Sequence, residues 1–282
     1  MKIYYSPYSL KPLKRANRLS SLDSKPGVLL KGVLGDKITF ADYFPHLPLG
    51  DRTCDQFLQE FRFQDVEYDR KVFDLLLRDF SFQTLKPQRF KNHQLWTGTE
   101  GLMAQVIKYK MLHQEDRAFL IPLNEGRTLR LDCNALFNRK DYDKFVSDIP
   151  QHLLKQIEYI EDPLHEKDWK DLSLPSAMDF IEGSEFKYYI YKPNVEFFPT
   201  HDATVIFSAY LGSPLGQWHT YCELVEKADL SLTHGIVATN FYEDEKPFLT
   251  GSFKDGFIAD VDLVKKLYQN VNGKDWKLLC SI

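Results

Sequence analysis

From Trp96 onward the chain consists of short apolar runs, each closing on a charged or polar group and each followed by a polar connector. The runs lie at residues 102–110, 128–134, 157–161, 188–194 and 204–210. Runs of this length alternating with helix-compatible segments predict β-α units and a parallel sheet buried on both faces. The connector at 141–156 carries Tyr142, Phe145, Val146, Ile149, Leu153 and Leu154 at turn spacing, which predicts one helix.

The opening third has a different rhythm. Residues 2–10, 27–34 and 37–43 read as strands, the last two joined at Gly35-Asp36 as a hairpin. Helical spacing follows at Phe57, Leu58 and Phe61, and again at Val72, Phe73, Leu76 and Leu77. Strands followed by helices predict an α+β module. The expected division is an α+β unit over 1–97, a β/α unit over 98–260, and a segment at 261–282 packing back toward the first unit. At 282 residues the chain is long enough for this arrangement.

Composition excludes several classes of partner. The formal net charge is -4, which argues against a nucleic-acid or acidic-membrane partner, since either would call for a basic stripe. Cys54, Cys133, Cys222 and Cys280 are far apart and show no C-x-x-C spacing, so neither a zinc knuckle nor a disulfide framework is expected. The first residues, Met1-Lys2-Ile3-Tyr4-Tyr5, do not read as a leader, and no window approaches the ~18 apolar residues of a membrane span. A cytoplasmic protein acting on a small molecule is expected; the oligomeric state is left open.

The chemistry sits at the carboxyl ends of the runs. Side chains i and i+2 of a strand share a face. Lys108 and Lys110 therefore share one face of the first run, and Arg130, Asp132 and Asn134 share one face of the second. Glu161 closes the third run on the parity of Ile157 and Tyr159, and Lys192 closes the fourth on the parity of Tyr188 and Ile190. Barrel enzymes keep their active sites at that end of the strands. Three carboxylates, Asp132, Glu161 and Asp179, suit a hard divalent cation such as Mg²⁺. Such an ion would bind a substrate carboxylate and stabilise the enediolate formed when the neighbouring carbon loses a proton. A lysine can take that proton if its pKa is lowered to roughly 7–8.

The ordered set of motifs resembles the enolase superfamily. Lys108-Tyr109-Lys110 resembles its K-x-K motif, and Arg130-Leu131-Asp132-Cys133-Asn134 its R-x-D-x-N strand. Ile160-Glu161-Asp162-Pro163-Leu164 is similar to I-E-x-P-L, and Tyr191-Lys192-Pro193-Asn194 to its second lysine strand. SAYLGSPLG at 208–216 resembles the S-S-x-x-E-S-x-L-G segment of the o-succinylbenzoate synthase branch. SPYSLKPL at 6–13 and GVLLK at 27–31 resemble that branch's first strands.

The resemblance implies a modified (β/α)₇β TIM-type barrel under an α+β cap, with specificity loops at about 14–26 and 46–53. It implies Mg²⁺, with Mn²⁺ as a substitute, on Asp132, Glu161 and Asp179. It implies Lys110 as the base that removes the α-proton and then assists loss of hydroxide from the same face. Lys192 would be the electrostatic partner on the other face, and Lys108 a contact to the substrate carboxylate. Arg130, Asn134, Ser208 and Ser213 would bind substrate. The implied reaction is the dehydration of 2-succinyl-6-hydroxy-2,4-cyclohexadiene-1-carboxylate to 2-succinylbenzoate, a step of menaquinone biosynthesis.

The chain departs from the pattern in three places. Asp179 is followed by Phe180 where the family has Asp-Glu, and Gly212 replaces the glutamate of E-S-x-L-G. Only 18 residues separate Glu161 from Asp179 and 13 separate Asp179 from Lys192. A crossover with its helix needs at least ~10–12 residues beyond the strands, so shortened or missing barrel helices are expected. A lysine on each face also suits a racemase or epimerase of N-acylamino acids or dipeptides. A degenerate barrel kept as a binding protein is the reading from another class. His165, the pair His201-Asp202 and His219 read as loop or packing residues, and Ser213 also reads as a helix cap.

Overall fold

A computed structural model describes the whole chain except residues 14–22, 62–65, 97–100, 168, 180–184, 201, 211, 238–247 and 282. In chain order the elements are β1 (Lys2–Leu10), β2 (Lys25–Leu34), β3 (Lys37–Tyr43), α1 (Cys54–Glu60), α2 (Glu67–Phe82), β4 (Lys91–Asn92), β5 (Gln94–Trp96) and β6 (Val106–Lys110). There follow α3 (Leu120–Asn124), β7 (Thr128–Asp132), α4 (Arg139–Ser147), α5 (Gln151–Leu154), β8 (Ile157–Glu161), β9 (Ser176–Met178), β10 (Tyr188–Tyr191) and β11 (Thr204–Phe207). The chain ends with α6 (Pro214–Lys227), β12 (Thr233–His234), β13 (Leu249–Ser252), β14 (Gly256–Ala259), α7 (Val261–Asn272) and β15 (Lys277–Ser281).

The cap sheet is antiparallel, in the order β15-β1-β2-β3. Its hairpin turns where expected: Leu34 pairs with Lys37, and Gly35 takes a φ of 61° that a side chain would resist. The last strand closes the sheet from the other end of the chain, with Ile3 opposite Cys280. α1 begins at a capping box in which Thr53 accepts from Gln56 N–H and the Gln56 side chain accepts from Thr53 N–H. α2 buries Val72, Leu75, Leu76 and Phe82 against the sheet.

The second sheet is parallel, in the order β11-β10-β9-β8-β7-β6-β5. Its two ends meet through β12. Ser208, just after β11, bridges to Gly235, and β12 pairs in parallel with β4, one residue before β5. The ring is thus an eight-position parallel barrel.

The faces divide as strand parity requires. Ile107, Leu129, Leu131 and Ile160 point outward into a core with Phe119, Leu123, Phe145 and Val146 of the α3–α4 side. Each such aliphatic side chain contributes about 1.5–3 kcal/mol relative to exposure. Tyr159, Ala177, Ile190 and Ile206 fill the interior.

The abbreviated spacings have their expected consequence. Among the described residues no helix lies between β8 and β9, between β9 and β10, or between β10 and β11. The single helix expected over 141–156 is two, α4 and α5. Pro150 lacks the N–H to continue α4 and disfavours helical geometry at Ile149, so the chain breaks there and restarts. No helix among the described residues is long and apolar enough to cross a membrane.

Candidate active site

Five consecutive strands carry Lys, Asp, Glu, Asp and Lys at one rim. Lys108 and Lys110 are on β6, Asp132 ends β7, Glu161 ends β8, Asp179 follows β9 and Lys192 follows β10. The register puts Lys110 opposite Asp132, Asp132 opposite Glu161, and Glu161 opposite Ala177. Contacts run along this arc. Lys110 Nζ lies 2.9 Å from Asp132 Oδ2. Lys108 Nζ lies 3.1 Å from the same oxygen and donates to both oxygens of Glu161 at 2.8 and 2.6 Å. Lys192 Nζ donates to Asp179 Oδ1.

Burial makes these charges matter. Lys108, Asp132 and Glu161 are 5%, 2% and 1% exposed, so water screens them little. Burial alone would lower the Lys108 pKa, but Asp132 and Glu161 raise it well above the ordinary value and keep the ammonium charged. Burial likewise works against ionised Asp132, yet Lys108 and Lys110 hold it below the usual carboxylate range. Glu161 goes the other way. Burial and the negative charges of Asp132 and Asp179 push it up, against the pull of Lys108. For Lys192, burial lowers the pKa and Asp179 more than reverses it.

Three carboxylates repelling one another in a dry site, offset by ammonium groups, present hard oxygen donors to a cation. Asp132 Oδ2 is buried and has no hydrogen bond of good geometry, only the two ion contacts with lysine. The donor chemistry therefore fits a divalent ion. The side chains do not stand converged on one point: among the described residues no three His, Cys, Asp or Glu groups are close enough to hold a metal as they lie. Lys108 fills the space between Asp132 and Glu161, and Lys192 holds Asp179 to its own side.

The remaining expected residues divide. Ser208 follows β11 at the rim, its N–H on Tyr191 O, and is half-buried. Asn134, at a φ of 47°, turns its amide onto Asp132 Oδ1. Arg130 does not reach the rim. Its guanidinium binds Glu158 at 2.8 and 3.1 Å and His93 Nδ1 at 3.0 Å, one layer below Asp132. The reason is a bulge: Leu129 pairs with Ile157 and Arg130 with Tyr159, so Glu158 is the extra residue beside Arg130. The same bulge sends Ile157 to the outer core, off the parity of Tyr159 and Glu161.

Ser213 is a cap and a clamp in place of an open substrate contact. Its hydroxyl accepts from Gly216 N–H at 3.4 Å and donates to Asp42 Oδ2 at 2.9 Å, and it is 6% exposed. Lys108, expected to meet a substrate carboxylate, is enclosed by Asp132 and Glu161. His165 pairs on the surface with Glu166, and His219 is buried on Asp79. His201, Phe180 and residues 14–22 of the first expected specificity loop lie outside the described residues.

Five residues that sequence reasoning did not single out organise the rim. Asp162 Oδ1 accepts Asp179 N–H at 3.0 Å and so fixes the third carboxylate's backbone. Asp42 reaches from the cap and accepts from Tyr8 Oη at 2.6 Å and from Ser213 N–H at 2.9 Å. His46 Nε2 meets Tyr210 O at 2.9 Å, and Tyr210 Oη donates to Asp51 Oδ2 at 2.6 Å. His46 and Asp51 belong to the second expected loop and Tyr210 to the SAYLG segment, but the pairing leaves no trace in a single sequence.

Comparison with known proteins agrees with this architecture. No family model matches the chain. An o-succinylbenzoate synthase of Bdellovibrio bacteriovorus is 29% identical over 185 residues, 58% of this chain and 56% of the relative, so the match spans little more than half of that protein's length. Among solved structures, the o-succinylbenzoate synthase of Thermosynechococcus elongatus, complexed with Mg in its active site, superposes with a TM-score of 0.69 at 12% identity, covering 96% of this chain and 100% of that one. An enolase family member from Agrobacterium tumefaciens with homology to dipeptide epimerases gives 0.65 at 11% identity, covering 93% and 99%. The chain has the enolase-superfamily fold, a cap of α+β structure on a parallel barrel, as the order of its motifs implied.

Proposed function

We propose that this chain is a dehydratase of the o-succinylbenzoate synthase type, acting on 2-succinyl-6-hydroxy-2,4-cyclohexadiene-1-carboxylate. The observation that carries the reading is the spatial order Lys110, Asp132, Glu161, Asp179, Lys192 on five adjacent strands, which sets one lysine on either side of a carboxylate cluster. Asp132, Glu161 and Asp179 would hold Mg²⁺. When bound, the ion supplies positive charge against the substrate carboxylate as that group takes up negative charge.

The chain's own residues account for the proton steps. Lys110 rests on Asp132 and is the more open of the two β6 lysines, its side chain 24% exposed against 7% for Lys108. With Asp132 committed to a cation, Lys110 loses its carboxylate partner and is free to act as base. Its Nζ takes the proton from the carbon bearing the carboxylate, and the bonding pair is delocalised into that carboxylate. The new ammonium then gives the proton to the hydroxyl leaving the adjacent ring carbon on the same face, so water departs and the ring becomes aromatic. Lys192, an ammonium on the far side of the carboxylate cluster, stabilises the negative charge from the other side. Lys108 balances Asp132 and Glu161 inside the barrel.

The two-lysine arrangement also supports 1,1-proton transfer on an N-acylamino acid or dipeptide, since each face of the α-carbon has its own ammonium group. Incubation of the protein with Mg²⁺ and the cyclohexadiene substrate separates the two. Growth of an aromatic absorbance supports dehydration. Absence of turnover at high enzyme concentration, together with inversion and deuterium uptake at an amino-acid α-carbon, replaces it with epimerisation.

A further inference from the structure

Tyr210 joins two parts of the molecule that the reaction needs together. From the cap, the loop at 46–53 grips it twice. His46 Nε2 meets its carbonyl oxygen at 2.9 Å, and its hydroxyl donates to Asp51 Oδ2 at 2.6 Å. Asp51 Oδ2 also accepts His46 N–H at 2.7 Å, so His46, Asp51 and Tyr210 form a closed circuit of hydrogen bonds. The ring is fixed as well, with His46 at 4.5 Å and Tyr68 edge-on at 5.9 Å. Tyr210 is 8% exposed. Burial lowers the His46 pKa to about 4, so at neutral pH the imidazole is uncharged and its Nε2 proton goes to the carbonyl oxygen.

On the barrel side, the same ring stands 5.9 Å from Lys192 Nζ, within cation–π range. The Lys192 backbone is held separately, its N–H on Glu196 Oε1 at 2.6 Å. Its ammonium meets neighbours of two different kinds, the Asp179 carboxylate and the Tyr210 ring among them. A cation bound by Asp179 would draw that carboxylate's charge away from Lys192. It has no claim on the ring.

We propose that Tyr210 is a positioning residue with two separable contacts: its hydroxyl and carbonyl fasten the cap loop through Asp51 and His46, and its ring holds the Lys192 ammonium in place. The catalytic half of this statement rests on the dehydratase reading; the fastening half does not.

Two substitutions separate ring from hydroxyl. Tyr210→Phe keeps the ring and cuts the bond to Asp51. Tyr210→Leu removes both. The full-length protein is tested three ways: trypsin cleavage after Arg52 within the loop, acetylation of Lys192 by acetic anhydride read by peptide mass, and steady-state kinetics with Mg²⁺ and the cyclohexadiene substrate. A hydrogen bond to a carboxylate governs about a tenfold or larger equilibrium. Both variants should therefore be cleaved about tenfold faster than wild type. In Tyr210→Phe the loss in kcat/KM should come through KM, with Lys192 labelling unchanged. In Tyr210→Leu, Lys192 should label several-fold faster and kcat should fall about tenfold. Unchanged cleavage in both variants, or equal Lys192 labelling in Phe and Leu variants, overturns the proposal. Should wild type not turn the substrate over, the dehydratase reading fails, while cleavage and labelling still decide the role of Tyr210. If the Leu variant does not fold, Tyr210→Phe decides the fastening, and Tyr210→His, which keeps a ring, should label Lys192 at the wild-type rate.

Discussion

Lys108 donates to both oxygens of Glu161, at 2.8 and 2.6 Å, inside a barrel where neither side chain meets bulk water. Removing one member of a buried ion pair leaves the other charged and unpaired, at about 3–5 kcal/mol. Lys108→Met should therefore lower unfolding stability by that order in EDTA, measured by urea titration. Saturating Mg²⁺ should return part of the loss, because a ligand bound only by the folded state adds stability. A barrel retained only as a binding protein would show no Mg²⁺-dependent shift in either form.

Lys110→Ala should reduce kcat by about 10²–10⁴, the usual contribution of a positioned base, and leave the melting temperature within a few degrees of wild type. Exchange of the substrate α-proton in D₂O, followed by NMR, should disappear with it. Lys192→Ala should slow the same exchange without abolishing it. If instead each lysine variant lost exchange with only one enantiomer of an amino-acid derivative, the epimerase reading would hold.

Glu196 gives a pH prediction with a definite sign. Burial raises its pKa from 4.5 to about 7, although Tyr189 Oη and Lys192 N–H both donate to it. The folded state therefore binds more protons than the unfolded state between about pH 4.5 and 7. The stability from this group is full below 4.5 and is lost as pH rises through 7. With Glu196 partly solvent-exposed, the change is about 1–3 kcal/mol. Glu196→Gln keeps an acceptor oxygen for Lys192 N–H and offers its amide N–H to Tyr189 Oη, and should flatten the difference in stability between pH 5 and pH 8. An unchanged slope would mean that the group titrates as an ordinary glutamate.

The joint of cap and barrel has no spare room at Gly212. A Cβ there would lie 2.7 Å from Asp42 Oδ2 and 3.3 Å from Phe44 Cβ. Gly212→Ala should cost about 1–3 kcal/mol by overpacking. In an Asp42→Ala background the same substitution should cost measurably less, giving a coupling energy in a double-mutant cycle. Strict additivity would remove Asp42 as the reason for the glycine.

Much of the rim was legible because strands impose a period of two. Lys108 with Lys110, and Tyr159 with Glu161, needed only parity to be placed on one face, and Lys192 needed only its run end; Asp179 had just the short Ala177-Met178 run before it to mark it. Parity failed where the ladder itself is irregular. The bulge at Glu158 turned Ile157 outward and gave Arg130 a half-buried carboxylate partner below the rim, and a bulge changes no residue type in the run. Pro150 broke the expected helix for a reason visible in the sequence but outweighed there by apolar spacing. The contacts of Asp42, His46 and Asp51 with residues more than 150 positions away are set by how the cap lies on the barrel, which no local pattern encodes.

The central claim is that one cation site lies between Lys110 and Lys192. Crystals soaked with Mn²⁺ and measured at its absorption edge test it directly. The account predicts one anomalous peak roughly 2 Å from oxygens of Asp132, Glu161 and Asp179, with Lys108 Nζ displaced from between the first two and the ammonium groups of Lys110 and Lys192 on opposite sides. A peak elsewhere, or none at the rim while Lys108 keeps its place on Glu161, would contradict it.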